Sequence, residues 1–155
     1  MTEHFIGLMS GTSLDGADGV LACIDAHGQT QVRAHGFVAF DATFKAALMA
    51  LNQSGPDELH LSALAGNQIA RHYAEVVHDL LQQSGLQAHD ISAIGAHGQT
   101  VRHRPDAGYT TQLINSALLA ELSGITTICD FRSRDIAAGG QGAPLVPAFH
   151  WHAFG

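Results

Sequence analysis

The sequence is poor in charge, in lysine and in cysteine, and it has no long uninterrupted apolar run. Charged residues make up 14% of the 155 residues, and Lys45 is the single lysine. A formal net charge of −7 argues against nonspecific binding to nucleic acid or to an anionic membrane surface. No apolar run is long enough to cross a bilayer, and the first residues do not form a secretory leader. These absences predict a cytoplasmic protein with no nucleic-acid or membrane partner.

The cysteines and histidines lack the spacing of a metal site. Cys23 and Cys129 stand far apart in apolar segments, and no CxxC pair occurs. This pattern predicts buried, reduced thiols, which suit a reducing compartment. His97 and His103 do not have the spacing of a helical zinc pair, so histidine-bound metal is not predicted.

Apolar residues and glycine are abundant, at 46% of the chain and 17 residues, and they predict buried strands joined by tight turns. The first part of the chain reads as three strands, which short turns would join into an antiparallel meander. Two helices follow, the second strongly amphipathic and ending at Ser84 and Gly85. The predicted segments are strands at 5–9, 17–25 and 31–40, a helix at 42–52, and a helix from about 57 to 84.

Strands and helices then alternate to the end of the sequence. The predicted segments are strands at 91–96, 110–114 and 125–129, a helix at 116–123, and a helix after Pro147. Antiparallel strands followed by alternating units predict an α/β domain with a mixed sheet and helices on its faces.

The turn after the first strand is rich in Gly, Ser, Thr and Asp. It lacks the Gly-Lys-Ser/Thr ending of a Walker A loop and the spacing of a nucleophile elbow. Thr12 and Ser13 would donate hydroxyl and backbone N–H bonds to phosphate, and Asp15 or Asp18 would hold a water bound to Mg²⁺. The alternative is an ordinary glycine-rich hairpin turn.

Two later polar segments follow buried strands, where ligands gather in open α/β sheets. His97 and Gln99 could hydrogen-bond sugar hydroxyls, or they could simply be the polar end of a strand. Residues 130–135 hold two aspartates and two arginines, which could orient phosphate or sugar, or neutralise one another as an ion-pair cluster. The glycine-rich residues 139–144 would allow close approach of backbone to a ligand, or could equally form a tight connection between a strand and a helix.

Together these segments resemble the anhydro-N-acetylmuramic acid kinases of bacterial cell-wall recycling. Separate motifs in the family's order carry the resemblance across nearly the whole chain: IGLMSGTSLDG at 6–16, GAHGQTV at 95–101, GIT at 124–126, DFR at 130–132 and DIAAGGQGAPLVPAFH at 135–150. It implies an actin-like, sugar-kinase-type lobe with a ribonuclease H-like fold. It also implies hydrolytic opening of the 1,6-anhydro sugar and phosphorylation of its 6-oxygen from ATP.

The resemblance also implies roles for individual residues, with ATP and Mg²⁺ as the cofactors. Asp15 is the expected partner of Mg²⁺, through water. Residues on the sugar side of the cleft would be His97, Gln99, Thr100, Asp130 and Arg132. The ATP phosphates would lie against Gly11, Thr12, Ser13, Leu14, Asp15, Gly16, Ala17 and Asp18.

Proteins of this family are substantially longer than 155 residues. We therefore expect residues 1–155 to be the N-terminal lobe of a two-lobed ATPase, with the C-terminal lobe and the general base beyond residue 155. Such a lobe would be inactive alone and would expose apolar surface that a homodimer would cover. The alternatives are a non-catalytic actin-like nucleotide or sugar-binding domain, and an actin-like chaperone or peptidase-type ATPase.

Overall fold

The computed structural model describes residues 2–154, and its centre is a five-stranded mixed sheet. The strand order is β3-β2-β1-β4-β7. The first three strands pair antiparallel, and β1–β4 and β4–β7 pair in parallel. The meander and the mixed sheet predicted from the sequence are both confirmed. The strands are β1 Glu3–Met9, β2 Gly16–Ile24, β3 Thr30–Ala39, β4 Ile91–Ala96 and β7 Thr127–Cys129.

One face of the sheet is covered by helices, chiefly by the 27-residue helix α2 (Glu58–Ser84). Its buried side chains recur at helical spacing because a single stripe faces the strands. A Cβ atom at Gly19 of β2 would overlap the side chain of Val76, so the helix packs directly on the backbone of the strand. Gly85 ends α2 in the left-handed conformation, at φ 71°.

The remaining helices are short. Asp41 begins α1 (Ala42–Ala50), where its carboxylate accepts a 2.8 Å hydrogen bond from the Phe44 N–H. Asn115 caps α3 (Ser116–Ser123) in the same way, with a bond of 2.9 Å from the Leu118 N–H. The chain then forms α4 (Phe131–Ala137) and α5 (Val146–Phe154).

Two elements differ from the sequence-based prediction. The residues after His97 form a strand, β5 (Gln99–Arg104), which pairs antiparallel with β6 (Tyr109–Leu113) in a separate two-stranded sheet. The aspartate–arginine segment, for which no helix was predicted, forms α4. In β5 the alternating buried residues are Gln99 and Val101, so only half of its period-2 pattern is apolar and the signal was weak.

The other face of the sheet is largely open. Val20, Val32 and Ile128 are exposed on it, and Phe149 of α5 lines the same apolar hollow. The described part of the chain thus leaves a contiguous apolar surface of the kind that marks an interaction face. None of the helices within residues 2–154 is both long and apolar enough to span a bilayer.

Candidate functional site

Two turns lie side by side at one edge of the main sheet. The first turn (residues 10–15) follows β1, and the second turn (residues 97–98) follows β4. These strands are parallel neighbours, so their carboxyl ends meet at the same edge. The His97 N–H donates a 2.9 Å bond to the Leu8 carbonyl, which extends the pairing to the start of the second turn. This is the position where open α/β sheets bind ligands.

The first turn is held in place by an apolar side chain. Leu14 has φ 59°, a left-handed conformation that is costly for a residue with a Cβ. Its side chain is only 3% exposed and belongs to the main core. The Leu14 N–H closes the turn on the Gly11 carbonyl at 3.1 Å. Burial of Leu14 therefore stabilises a backbone shape that the residue would otherwise avoid.

This shape leaves three polar side chains of the first turn free. Thr12, Ser13 and Asp15 are exposed, and their side chains have no hydrogen-bond partner among residues 2–154. Two hydroxyls and a carboxylate can therefore meet a ligand without first breaking a contact. No group of three or more metal-ligating side chains occurs in the described residues. A single free carboxylate still suits Mg²⁺, which keeps most of its waters.

The rest of the predicted phosphate segment belongs to strand β2. Gly16 and Ala17 are buried there, and a Cβ at Gly16 would overlap the Val38 carbonyl oxygen. Asp18 lies on the open face of the sheet, where its carboxylate is 3.3 Å from the His35 Nε2. Of the two aspartates predicted to act on Mg²⁺, Asp15 is the one whose carboxylate is unpaired.

In the second turn, an arginine fixes the tautomer of a histidine. The Arg132 Nε donates to the His97 Nε2 at 2.7 Å, so this nitrogen carries no proton. The His97 Nδ1 must then hold the proton, which it donates to the Gly98 carbonyl at 2.7 Å. Burial, which outweighs that hydrogen bond, lowers the pKa of His97 below its ordinary value, and the Arg132 charge adds to this effect. His97 is therefore held as a neutral imidazole.

The same arginine connects the second turn to the glycine-rich loop after α4. The Arg132 Nη1 donates to the Gly142 carbonyl at 2.6 Å. The Gly142 N–H in turn donates to the Asp135 carboxylate at 2.7 Å. Within residues 130–135 no ion pair joins an arginine to an aspartate. The ion-pair alternative for this segment is wrong, because Arg132 binds the histidine and the loop carbonyl and Asp135 accepts from the loop N–H instead.

The other predicted sugar-side residues lie at different depths. Gln99 is 1% exposed, and its Oε1 is buried without a hydrogen-bond partner in the described structure. Thr100 is half-buried and its hydroxyl accepts a 3.2 Å bond from the Gln112 amide. Asp130 is exposed, at φ 61°, just before α4. His97 and Arg132 are thus brought into contact, whereas Gln99 points its amide into the protein.

Sequence reasoning assigned no site role to Ser10 or Tyr73, and it marked the segments of Asp135 and Gly142 without predicting that these two residues are in contact. Ser10 is buried beside Tyr73, and Asp135 binds the Gly142 backbone. Tyr73 follows the apolar stripe of α2, so the sequence marks it only as a core residue. The glycine-rich composition of residues 139–142 was the one available signal for the loop.

Comparison with known proteins identifies one family over nearly the whole chain. The model of the anhydro-N-acetylmuramic acid kinase family matches residues 3–155. A protein of that name from Variovorax paradoxus (strain S110) is 61% identical over 152 residues, which are 96% of this chain and 40% of the relative. A protein of the same name from Bordetella pertussis is 61% identical over 94% of this chain. Another, from Burkholderia pseudomallei (strain 1710b), is 57% identical over 97% of this chain. The chain spans about two fifths of the length of these curated relatives.

Proposed function

Because this chain belongs to the anhydro-N-acetylmuramic acid kinase family, of the sugar-kinase and actin-like ATPase class, we propose that the full-length protein is an ATP-dependent sugar kinase. It opens the 1,6-anhydro ring of anhydro-N-acetylmuramic acid with water and transfers the γ-phosphoryl group of ATP to the 6-oxygen. The products are N-acetylmuramic acid 6-phosphate and ADP. This reaction belongs to peptidoglycan recycling, and we place the protein in the cytoplasm.

The observation that carries the proposal is the chemical difference between the two adjacent turns. The first turn offers unpaired hydroxyls at Thr12 and Ser13 and a carboxylate at Asp15. The second offers the neutral His97 beside the Arg132 guanidinium. A phosphoryl transfer enzyme must hold a polyphosphate with its cation next to a hydroxylated acceptor. The two turns match those two needs at neighbouring strand ends.

We assign the ATP phosphates to residues 11–18, with Thr12, Ser13 and the turn backbone as donors. Asp15 would hold a water of the Mg²⁺ ion, which neutralises phosphate charge when bound. The sugar would lie toward His97 and Arg132, where an imidazole and a guanidinium can hydrogen-bond hydroxyl and carboxylate oxygens. Gln99, Thr100 and Asp130 complete the proposed sugar side.

We further propose that residues 1–155 form the N-terminal lobe of a two-lobed enzyme. Phosphoryl transfer needs charge neutralisation and positioning from both sides of the cleft. The general base is expected in the second lobe, so the isolated lobe would be inactive. Its open apolar face, with Val20, Val32 and Ile128 exposed, also favours a homodimer when the lobe is alone.

The decisive experiment incubates the full-length protein with ATP, Mg²⁺ and anhydro-N-acetylmuramic acid and analyses the sugar by mass spectrometry. The expected product is heavier than the substrate by one phosphoryl group and one water molecule. The 155-residue chain, assayed in parallel, should yield none. If ATP and the sugar both raise the melting temperature of the full-length protein but no product forms, a non-catalytic nucleotide or sugar-binding protein becomes the better assignment.

A further inference from the structure

A buried tyrosine on α2 is hydrogen-bonded to the first turn of the candidate site and, through Ser10, is linked to the second turn. Tyr73 is 0% exposed, and its hydroxyl oxygen is 3.3 Å from the Ser10 Oγ. Ser10 is itself buried, and it directly precedes Gly11 of the first turn. The Ser10 Oγ also donates to the Gly98 carbonyl of the second turn, at 3.2 Å. One side chain on a long helix therefore reaches both turns within two hydrogen bonds.

The direction of these hydrogen bonds follows from the donors available. The Ser10 hydroxyl has one proton, which it gives to the Gly98 carbonyl. The Tyr73 hydroxyl is then the donor to Ser10. The Gly98 carbonyl also accepts from the His97 Nδ1, and His97 accepts from Arg132. The result is a continuous hydrogen-bond chain from Tyr73 through Ser10 and Gly98 to His97 and Arg132.

The Tyr73 hydroxyl is costly to place where it is. Burial raises the pKa of Tyr73 to about 12, so the hydroxyl stays neutral. Phenylalanine has almost the same shape and would avoid the desolvation of a polar group. Its neighbours on the same helix stripe, Val76, Val77 and Leu80, are all apolar. A hydroxyl at this single place of the stripe points to a need for the hydrogen bond itself.

We propose that Tyr73 is a positioning residue for the proposed kinase reaction, holding the first and second turns in a fixed relation through Ser10. The inference rests on the proposed function, because that function assigns phosphate binding to the first turn and sugar binding to the second. Tyr73 would then support both binding turns. Tyr73 touches neither ligand. It acts by keeping Thr12 and Ser13 at a constant distance from His97, and reaction rates depend steeply on such distances.

The test uses Tyr73→Phe in the full-length protein, which removes one oxygen and keeps the ring. We expect kcat to fall about tenfold, the equivalent of one broken hydrogen bond in a low-dielectric site, with smaller changes in both KM values. Hydrogen–deuterium exchange should become faster in residues 10–14 and in residues 97–100 together. The Ser10→Ala variant breaks the same series of hydrogen bonds. The double variant should therefore lose no more activity than the more impaired of the two single variants.

The matched control is Ser84→Ala, which removes a 2.8 Å side-chain hydrogen bond to the Leu80 carbonyl at the far end of the same helix. It should leave kcat and exchange at both turns unchanged. The inference is overturned if Tyr73→Phe leaves hydrogen–deuterium exchange in either turn at the wild-type rate, or if it leaves kcat unaffected. It is also overturned if the fold-losses in kcat of Tyr73→Phe and Ser10→Ala multiply in the double variant. If the wild-type protein forms no product, the proposed function fails. The link between the turns is tested separately, because it is refuted if hydrogen–deuterium exchange in Tyr73→Phe becomes faster in one turn and not in the other.

Discussion

The two turns of the candidate site are positioned by opposite means. The first turn depends on the buried apolar side chain of Leu14, and the side chains of Thr12, Ser13 and Asp15 stay free. The second turn depends on polar contacts, and His97 and Arg132 are both committed to protein partners. A turn held by an apolar side chain keeps its polar groups unpaired, so they can bind a ligand directly. A turn held by polar contacts must break some of its own hydrogen bonds before the same groups can bind a ligand. We therefore expect the first turn to bind without rearrangement and the second to change its hydrogen bonds on binding.

Removing the apolar support should have the largest effect. Leu14→Ala deletes a buried side chain and leaves a strained backbone without its packing. We expect the free energy of unfolding of the full-length protein to fall by about 3 kcal/mol in urea denaturation. Leu122→Ala, at an exposed leucine of α3, should change it by less than about 0.5 kcal/mol. Equal losses in the two variants would show that Leu14 does not support the turn through burial.

Removing the free carboxylate should have a large effect on activity and almost none on stability. Asp15 has no side-chain partner among the described residues, so Asp15→Asn costs no native contact. If Asp15 orients a water of Mg²⁺, turnover should fall by about 10- to 100-fold. The control is Glu121→Gln, which neutralises another exposed carboxylate on α3. Unchanged turnover at saturating Mg²⁺ would remove Asp15 from the metal site.

The polar support can be weakened by a substitution that keeps the charge. Lysine cannot reproduce the two donors that Arg132 directs at His97 and the Gly142 carbonyl. We expect Arg132→Lys to raise the KM for the sugar about tenfold, while the KM for ATP stays within about twofold.

The neighbouring Arg134 provides the control for this substitution, because it is exposed and bound to neither partner. Arg134→Lys should leave both KM values unchanged. A rise in the KM for ATP alone, in the Arg132 variant, would contradict the assignment of the second turn to the sugar.

The sequence predicted the main sheet well because local signals and long-range pairing agree there. Apolar runs in β1 and β2 flank a glycine-rich turn, and their antiparallel pairing needs no other element. The helix α3 was predicted at its observed bounds, since Asn115 and Gly124 mark its two ends. Strand β5 was missed because its buried positions include Gln99, whose environment is set by β6 and not by its own neighbours.

The candidate site was predictable in its parts but not in its connections. The glycine-rich turn and the polar strand ends marked Asp15, His97 and Arg132. Their contacts depend on pairs far apart in sequence, such as Arg132 with His97 and Ser10 with Tyr73. No periodicity records such pairs, because the partners lie on different elements and meet only after the sheet has formed.

The smallest expected effect is the loss of stability when His97 of the second turn is protonated. The pKa of His97 is lowered in the folded state, so between that pKa and the ordinary value near 6.5 the unfolded chain binds more protons. The stability that the neutral imidazole contributes is therefore fully present above about pH 6.5 and is lost as the pH falls through the lowered pKa. Physically, a protonated Nε2 cannot accept the Arg132 hydrogen bond.

The measurement is the free energy of unfolding from pH 8 to pH 5, compared between the wild type and His97→Asn. The wild type should lose more stability on acidification, because the variant has no imidazole to titrate at the second turn. His89→Asn serves as the control, since it removes a highly exposed histidine that lies outside both turns. Parallel profiles for the wild type and His97→Asn would mean that Arg132 holds the second turn without help from a neutral histidine. The polar support of the second turn would then consist of the Arg132 hydrogen bonds alone, and the comparison between the turns would be between burial of Leu14 and hydrogen bonding by Arg132.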